Sequence, residues 1–191
     1  MNRTDQAKLY YLYMLSDGEA SEREKKLFTT ICKELSINPE EKKGIIKECE
    51  SVPYSDIVDE IKKLVGYVEK KGDGSAVAEI RALASMMGSI GCSDDHATML
   101  WNLVNLGYAD TKYTSEEHEI VDLLKEYWEV ADDLYQEMID VAETCLALEE
   151  HKKWVDALEE SPYKAEKLKQ IKKDIKMVQD SIKVTLAELD F

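Results

Sequence analysis

Asp17-Gly18-Glu19-Ala20-Ser21-Glu22-Arg23-Glu24 has a second version in the same chain, Asp110-Thr111-Lys112-Tyr113-Thr114-Ser115-Glu116-Glu117, at an offset of 93 residues (110 − 17). The correspondence continues downstream in register. Leu27 falls on Ile120, Phe28 on Val121, Ile31 on Leu124, Leu35 on Trp128 and Ile37 on Val130. In each copy an Asp leads into a turn and a hydroxyl residue follows. A Glu three positions later completes a capping box, and apolar residues at helical spacing begin. The pattern predicts a helical domain built from two related halves, each with an acidic corner at a helix start.

Working outward, residues 5 to 16 read as a helix dense enough in Leu and Tyr to be buried on several sides. Asn38-Pro39-Glu40-Glu41 is another helix start, with a cap, a proline at the first helical position and a Glu at the third. After the break at Ser51-Val52-Pro53-Tyr54, a helix from Ser55 or Asp56 carries a stripe from Ile57 to Val68. Lys71-Gly72-Asp73-Gly74 is the natural seam between the halves, about 5–72 and 75–130. A helix is expected over 75–89, then Gly91, a cap at Ser93 and a strongly apolar helix ending at Gly107.

Beyond Val130 the pattern changes. Leu134, Met138, Val141, Cys145, Leu148 and Val155 approach heptad spacing, Ser161-Pro162 breaks the chain, and Leu168, Ile171, Ile175, Val178, Ile182, Leu186 and Leu189 resume it. Residues 131–160 hold 10 acidic and 2 basic side chains, against 5 and 7 in residues 161–191, so the two arms attract each other. An antiparallel helical hairpin over 131–191 is the economical reading, its first helix packing on the bundle formed by residues 1–130. Nowhere does a strand pattern appear, and the predicted fold class is all-α.

Composition narrows the function. Lys and Arg number 25 against 40 Asp and Glu, a net charge of −15, which disfavours phosphate-backbone binding and excludes non-specific nucleic-acid partners. Cations or a basic protein partner fit better. The four cysteines are widely spaced, without a zinc or CxxC pattern, which points to a reducing, cytoplasmic setting. No apolar run is long enough for a transmembrane segment, and no apolar signal core follows Met1. His96, His118 and His151 are scattered, and no GxSxG, P-loop or GxGxxG occurs, so no enzyme activity is expected.

SDGEASEREKKLF, preceded by its apolar helix, resembles the signature of the TerB-like tellurite-resistance proteins, ADG-x-x-S-x-x-E, and YADTKYTSEEHEIV resembles a degenerate second copy. The resemblance covers about residues 5 to 150. It implies a non-enzymatic bacterial protein of tellurite resistance or chemical stress that binds divalent cations, calcium especially. Carried over by position, the implied ligands are Asp17 and Glu24 with Asp110 and Glu117, and secondarily Glu22 and Glu116. Two positions depart from the signature: Ser16 stands for its Ala, and Thr111 for the Gly after Asp110.

The residues themselves leave two readings open. Hard cations take carboxylate and carbonyl oxygens, and a turn entering a helix can gather them. The spacing is not an EF-hand, because the upstream ligand positions fall on Tyr13 and Leu15. Equally, Ser21/Glu24 and Thr114/Glu117 suffice as helix caps, with the acidic residues complementing the helix dipole. On that second reading the protein is an acidic adaptor or inhibitor that engages a protein partner, a module that bacterial defence could use, and its C-terminal hairpin is a docking or homodimer element.

Overall fold

The computed structural model describes residues 1–18, 20–67, 94–109 and 113–188. The expected seam at Lys71–Gly74, the helix over 75–89, the cap at Ser93, and Asp110 and Thr111 of the second acidic corner lie outside them. Among the described residues there are eight α-helices and no strand: α1 (Arg3–Met14), α2 (Glu22–Glu34), α3 (Pro39–Cys49), α4 (Ile57–Val65), α5 (Asp94–Gly107), α6 (Ser115–Tyr127), α7 (Asp132–Asp156) and α8 (Pro162–Glu188). The chain is all-α. It divides into two compact units, Met1–Val130 and Ala131–Phe191.

In the first unit α1 is the central helix, packed against α2, α3, α4, α5 and α6. Its residues Ala7 and Leu9 through Met14 are all buried, so it has no solvent face over its last turns. It begins at Arg3, earlier than the sequence pattern indicates, because the Asn2 side chain accepts a hydrogen bond from the Asp5 N–H at 2.9 Å. Polar tips on this helix are tied to neighbours. Lys8 reaches Glu48 at 2.6 Å, the Tyr11 hydroxyl donates to Glu50 at 3.0 Å, and Asn102 on α5 donates to the Tyr10 hydroxyl at 3.2 Å. Helix α5 matches α1 in character, with Ala97, Met99, Leu100, Leu103, Val104 and Leu106 all buried.

The offset of 93 residues seen in the sequence also relates the elements. Glu22 and Ser115 open α2 and α6, and Glu34 and Tyr127 close them (115 − 22 and 127 − 34). Met14 and Gly107 close α1 and α5 (107 − 14), and Pro39 and Asp132 open α3 and α7 (132 − 39). Both α2 and α6 end in the same way. Ser36 (φ 57°) and Glu129 (φ 56°) adopt the left-handed conformation. The following N–H groups of Ile37 and Val130 close back onto Cys32 and Lys125 carbonyls at 2.8 and 3.0 Å. This is the Schellman ending, made here without glycine and hence at a backbone cost of roughly 1 kcal/mol at each site.

Tyr54–Asp56 forms a single 3-10 turn before α4, and Gly66 (φ 70°) ends that helix. In the second unit α7 and α8 pack on each other. Val155, late in α7, clusters with Ile171 and Ile175, early in α8, while Thr185, late in α8, donates a hydrogen bond to Glu137, early in α7, at 2.9 Å.

Gly107 marks a close approach within the first unit. A Cβ placed there would stand 2.5 Å from the Tyr13 hydroxyl oxygen and 2.6 Å from the Tyr113 ring. Gly44, exposed on α3, would meet nothing within 4 Å. Gly44→Ala is expected to stabilise by about 0.5–1 kcal/mol through helix propensity. Gly107→Ala is expected to destabilise by about 1 kcal/mol or more, overpacking outweighing the same propensity gain. Urea unfolding of both variants checks the opposite signs, and a stabilised Gly107→Ala would contradict the packing described.

Candidate functional site

Helix α1 ends in a tight turn. Ser16 is buried, its hydroxyl donating to the Tyr13 carbonyl at 2.7 Å, and the Gly18 N–H closes onto Leu15 at 3.1 Å. Gly18 has φ 104°, a conformation that side chains resist, which accounts for glycine after Asp17. Asp17 is half-buried beside it. The chain then enters α2 through a complete capping box: Ser21 accepts from the Glu24 N–H at 3.2 Å, and Glu24 accepts from the Ser21 N–H at 2.7 Å. At α6, Thr114 accepts from the Glu117 N–H at 3.3 Å. The Glu117 carboxylate in turn accepts from the Thr114 N–H at 2.9 Å and from its hydroxyl at 3.0 Å.

A third capping box gives the control. At α3, Asn38 and Glu41 make the same reciprocal hydrogen bonds, yet the Glu41 side chain stays 38% exposed and pairs with Arg3 at 3.2 Å. Glu24 and Glu117 are only 2% and 3% exposed. Capping therefore does not require such burial; tertiary packing imposes it. Helix α2 packs on α5. The Arg23 guanidinium, in the first turn of α2, donates to the Ala109 carbonyl at 3.4 Å, just ahead of the second acidic corner.

The electrostatics link the two starts. Burial pushes the Glu117 carboxyl from its ordinary 4.5 up to about 7. The negative charges of Glu24 and Asp17 push the same way, against the lowering effect of the Thr114 hydrogen bonds. The structure thus brings Glu117 of one motif within electrostatic reach of Asp17 and Glu24 of the other. It does not bring in the secondary candidates. Glu22 is exposed and pairs with Lys25 at 3.5 Å, and Glu116 is exposed and accepts from the Ser115 hydroxyl at 3.0 Å. Among the described residues no three His, Cys, Asp or Glu side chains stand close enough together to hold a metal ion, and Asp110 is outside that set.

Other reactive groups are dispersed. His96 stacks on Trp128 at 5.2 Å, His118 lies 3.5 Å from Asp122 on an exposed face, and His151 is exposed on α7. Burial pushes the Cys32 and Cys49 thiols up to about 11 and about 12, leaving them protonated and unreactive. One feature without a clear sequence signal is a groove of about 370 Å³ beside the acidic turn, lined by Ser16, Tyr54, Val58, Ile61, Glu116 and Ile120 among others. Its only hint is apolar side chains on α4 beyond what one buried stripe requires. The sequence matches no protein-family model, no curated protein and no solved structure.

The raised affinity of Glu117 for a proton has a definite sign. Below pH 4.5 it is protonated folded or unfolded; between 4.5 and about 7 only the folded state keeps the proton, so its stabilising contribution is lost as pH rises through 7. Glu117→Gln, neutral throughout, is expected to gain on the wild type by up to about 3 kcal/mol between pH 5 and pH 8, with chelator present. Urea unfolding at both pH values measures it. A wild-type-to-variant difference that stays constant over that range would show that the carboxyl is not perturbed.

Proposed function

We propose that the chain is a non-enzymatic, TerB-like protein of the bacterial stress response that holds a divalent cation, calcium the first candidate, between its two acidic helix starts. The reading takes residues 1–130 as a duplicated helical domain and residues 131–191 as an antiparallel hairpin, in a cytoplasmic protein. In favour of the duplication stand the shared offset of helix starts and ends, the twin capping boxes and the twin left-handed endings. In favour of the cation stands one observation above all: Glu24 and Glu117 are buried where Glu41, in the same local motif, is not.

Two carboxylates removed from water within reach of each other and of Asp17 repel one another, and their charges call for compensation. A proton on Glu117 is one answer. A hard divalent cation is another, because it supplies two positive charges and takes carboxylate and carbonyl oxygens as ligands. In this reading Glu24, Glu117 and Asp17, which stand too far apart to ligate one ion as the structure has them, close around it together with Asp110, the remaining position implied by the motif. Glu22 and Glu116 stay at the rim, as long-range attraction only. The acidic surface, with its charge of −15, would concentrate cations near the site.

Calorimetric titration of the metal-free protein with calcium, then magnesium, tests the proposal. Binding is expected, weakened at least about tenfold by Asp17→Asn and by Glu117→Gln, a loss of about 1.4 kcal/mol each. It should be left nearly intact by Glu22→Gln. Absence of heat, together with a melting temperature indifferent to either ion, would leave the corners as helix caps. The function would then lie in protein–protein contacts of an acidic adaptor.

A further inference from the structure

Helices α4 and α6 both pack on α1, and a groove of about 370 Å³ lies between them. The Tyr127 hydroxyl, at the end of α6, donates to the Gly66 carbonyl, at the end of α4, at 2.7 Å and closes the groove there. The other end opens at Tyr54, Ser55 and Glu116, near the starts of the two helices, so both run the same way along it. The walls are apolar: Val58 and Ile61 stand on α4, Ile120 and Leu123 on α6. Apart from Met1, the large apolar side chains described as exposed in the first unit are Tyr54 at 59% and Val58 at 40%, and both line this groove. They stand four residues apart, in one row along its α4 side.

Charge selects the occupant. On the α6 rim Glu116 and Glu119 line the groove, and Glu126 stands one turn beyond Leu123. On the α4 rim Asp59 stands one turn from both Ser55 and Lys62. All four carboxylates are exposed, and among the described residues none of them is in an ion pair. Lys62 is the basic side chain among the described lining residues, and its ammonium lies 5.8 Å over the Tyr67 ring, toward the closed end. The groove thus joins an apolar floor to an acidic rim. In a chain of net charge −15 such a surface repels nucleic acid and anionic membranes, and it attracts cations carried on apolar groups.

We infer that this groove docks a basic amphipathic helix of a partner protein. Apolar side chains one turn apart on the partner enter between α4 and α6, and Lys or Arg on the flank of the same helix meets Glu116, Glu119 and Glu126. Seven residue steps separate Glu116 from Leu123 (123 − 116), about 10 Å at 1.5 Å per residue, which accommodates about two turns of a helix. Apolar anchors at positions i and i+4 suit that length, and grooves of this kind read helices through such anchors. The rim carboxylates set orientation and speed of encounter, while Tyr54, Val58 and the apolar walls supply the anchoring contacts. The inference requires no cation at the acidic helix starts.

Fluorescence anisotropy of the full chain with two labelled synthetic peptides tests it: an amphipathic helix of leucine and lysine, and its counterpart with glutamate in place of lysine. The lysine peptide is expected to bind and to gain helical circular dichroism on binding, and the glutamate peptide is expected not to bind. Glu119→Lys and Val58→Gln, both at exposed helical positions, should each weaken binding about tenfold or more with the fold unchanged. Glu150→Lys, the same change of charge at an exposed position of α7, should alter it by no more than about twofold, which separates the groove from general acidity. The inference is overturned if the lysine peptide does not bind, if the glutamate peptide binds as tightly, or if Glu119→Lys and Val58→Gln weaken binding no more than Glu150→Lys does. A chain that is itself a dimer until Val58→Gln separates it would also overturn the inference, by giving the groove to a second copy.

Discussion

A helix buried to its last residue makes the helix that follows start close to the core, and this constraint shapes the first unit. Both α1 and α5 are enclosed through their final turns, with Met14 and Gly107 buried at the ends. The next helices open on an exposed residue, Glu22 or Ser115, but their third residue, Glu24 or Glu117, is already enclosed. The first N–H groups of each helix have no intrahelical partner and, out of water, need protein acceptors. Ser21 with Glu24, and Thr114 with Glu117, provide them. The acidic corner is therefore first a solution to a hydrogen-bonding problem. Its chemical interest follows from where the solution had to be built.

Much of this was legible in the sequence because it is local. Capping boxes, the glycine after Asp17, the proline opening α3 and the apolar stripes depend on neighbours a few residues away. The offset of 93 was legible too, and the starts and ends of α2 and α6 follow it. Burial of Glu24 and Glu117 was not. Among the described residues three capping boxes of the same chemistry occur, and only tertiary packing decides that Glu41 meets Arg3 at the surface while the other two carboxylates are enclosed. Likewise Glu22 and Glu116 look as eligible as ligands as their neighbours, yet helical geometry turns them outward. The start of α1 at Arg3 was missed because the cap Asn2 precedes any apolar residue.

The second unit obeys a simpler rule. A regular 4–3 spacing of apolar residues needs no special backbone, and α7 and α8 follow it almost without interruption. Lys164 shows how a charged residue can occupy the seam. Its aliphatic stem is buried while its ammonium reaches the Leu158 carbonyl at 3.0 Å and Glu160 at 2.6 Å. Charge is thus handled differently in the two units: at the seam end of the second, a buried stem delivers its charge to nearby acceptors, whereas in the first, carboxylates themselves are enclosed.

That enclosure calls for compensation. A cationic side chain serves Glu41, but Arg23, the basic residue within the first acidic motif, directs its guanidinium to the Ala109 carbonyl. A proton and a divalent cation can each answer it, and the two compete for the same carboxylate oxygens. The burial and like charge that push Glu117 up to about 7 are also what make a divalent ion favourable there. A raised proton affinity and a cation site are two expressions of one buried negative charge. Any ion that binds must displace that proton, so affinity would rise with pH over the range in which the empty protein loses stability.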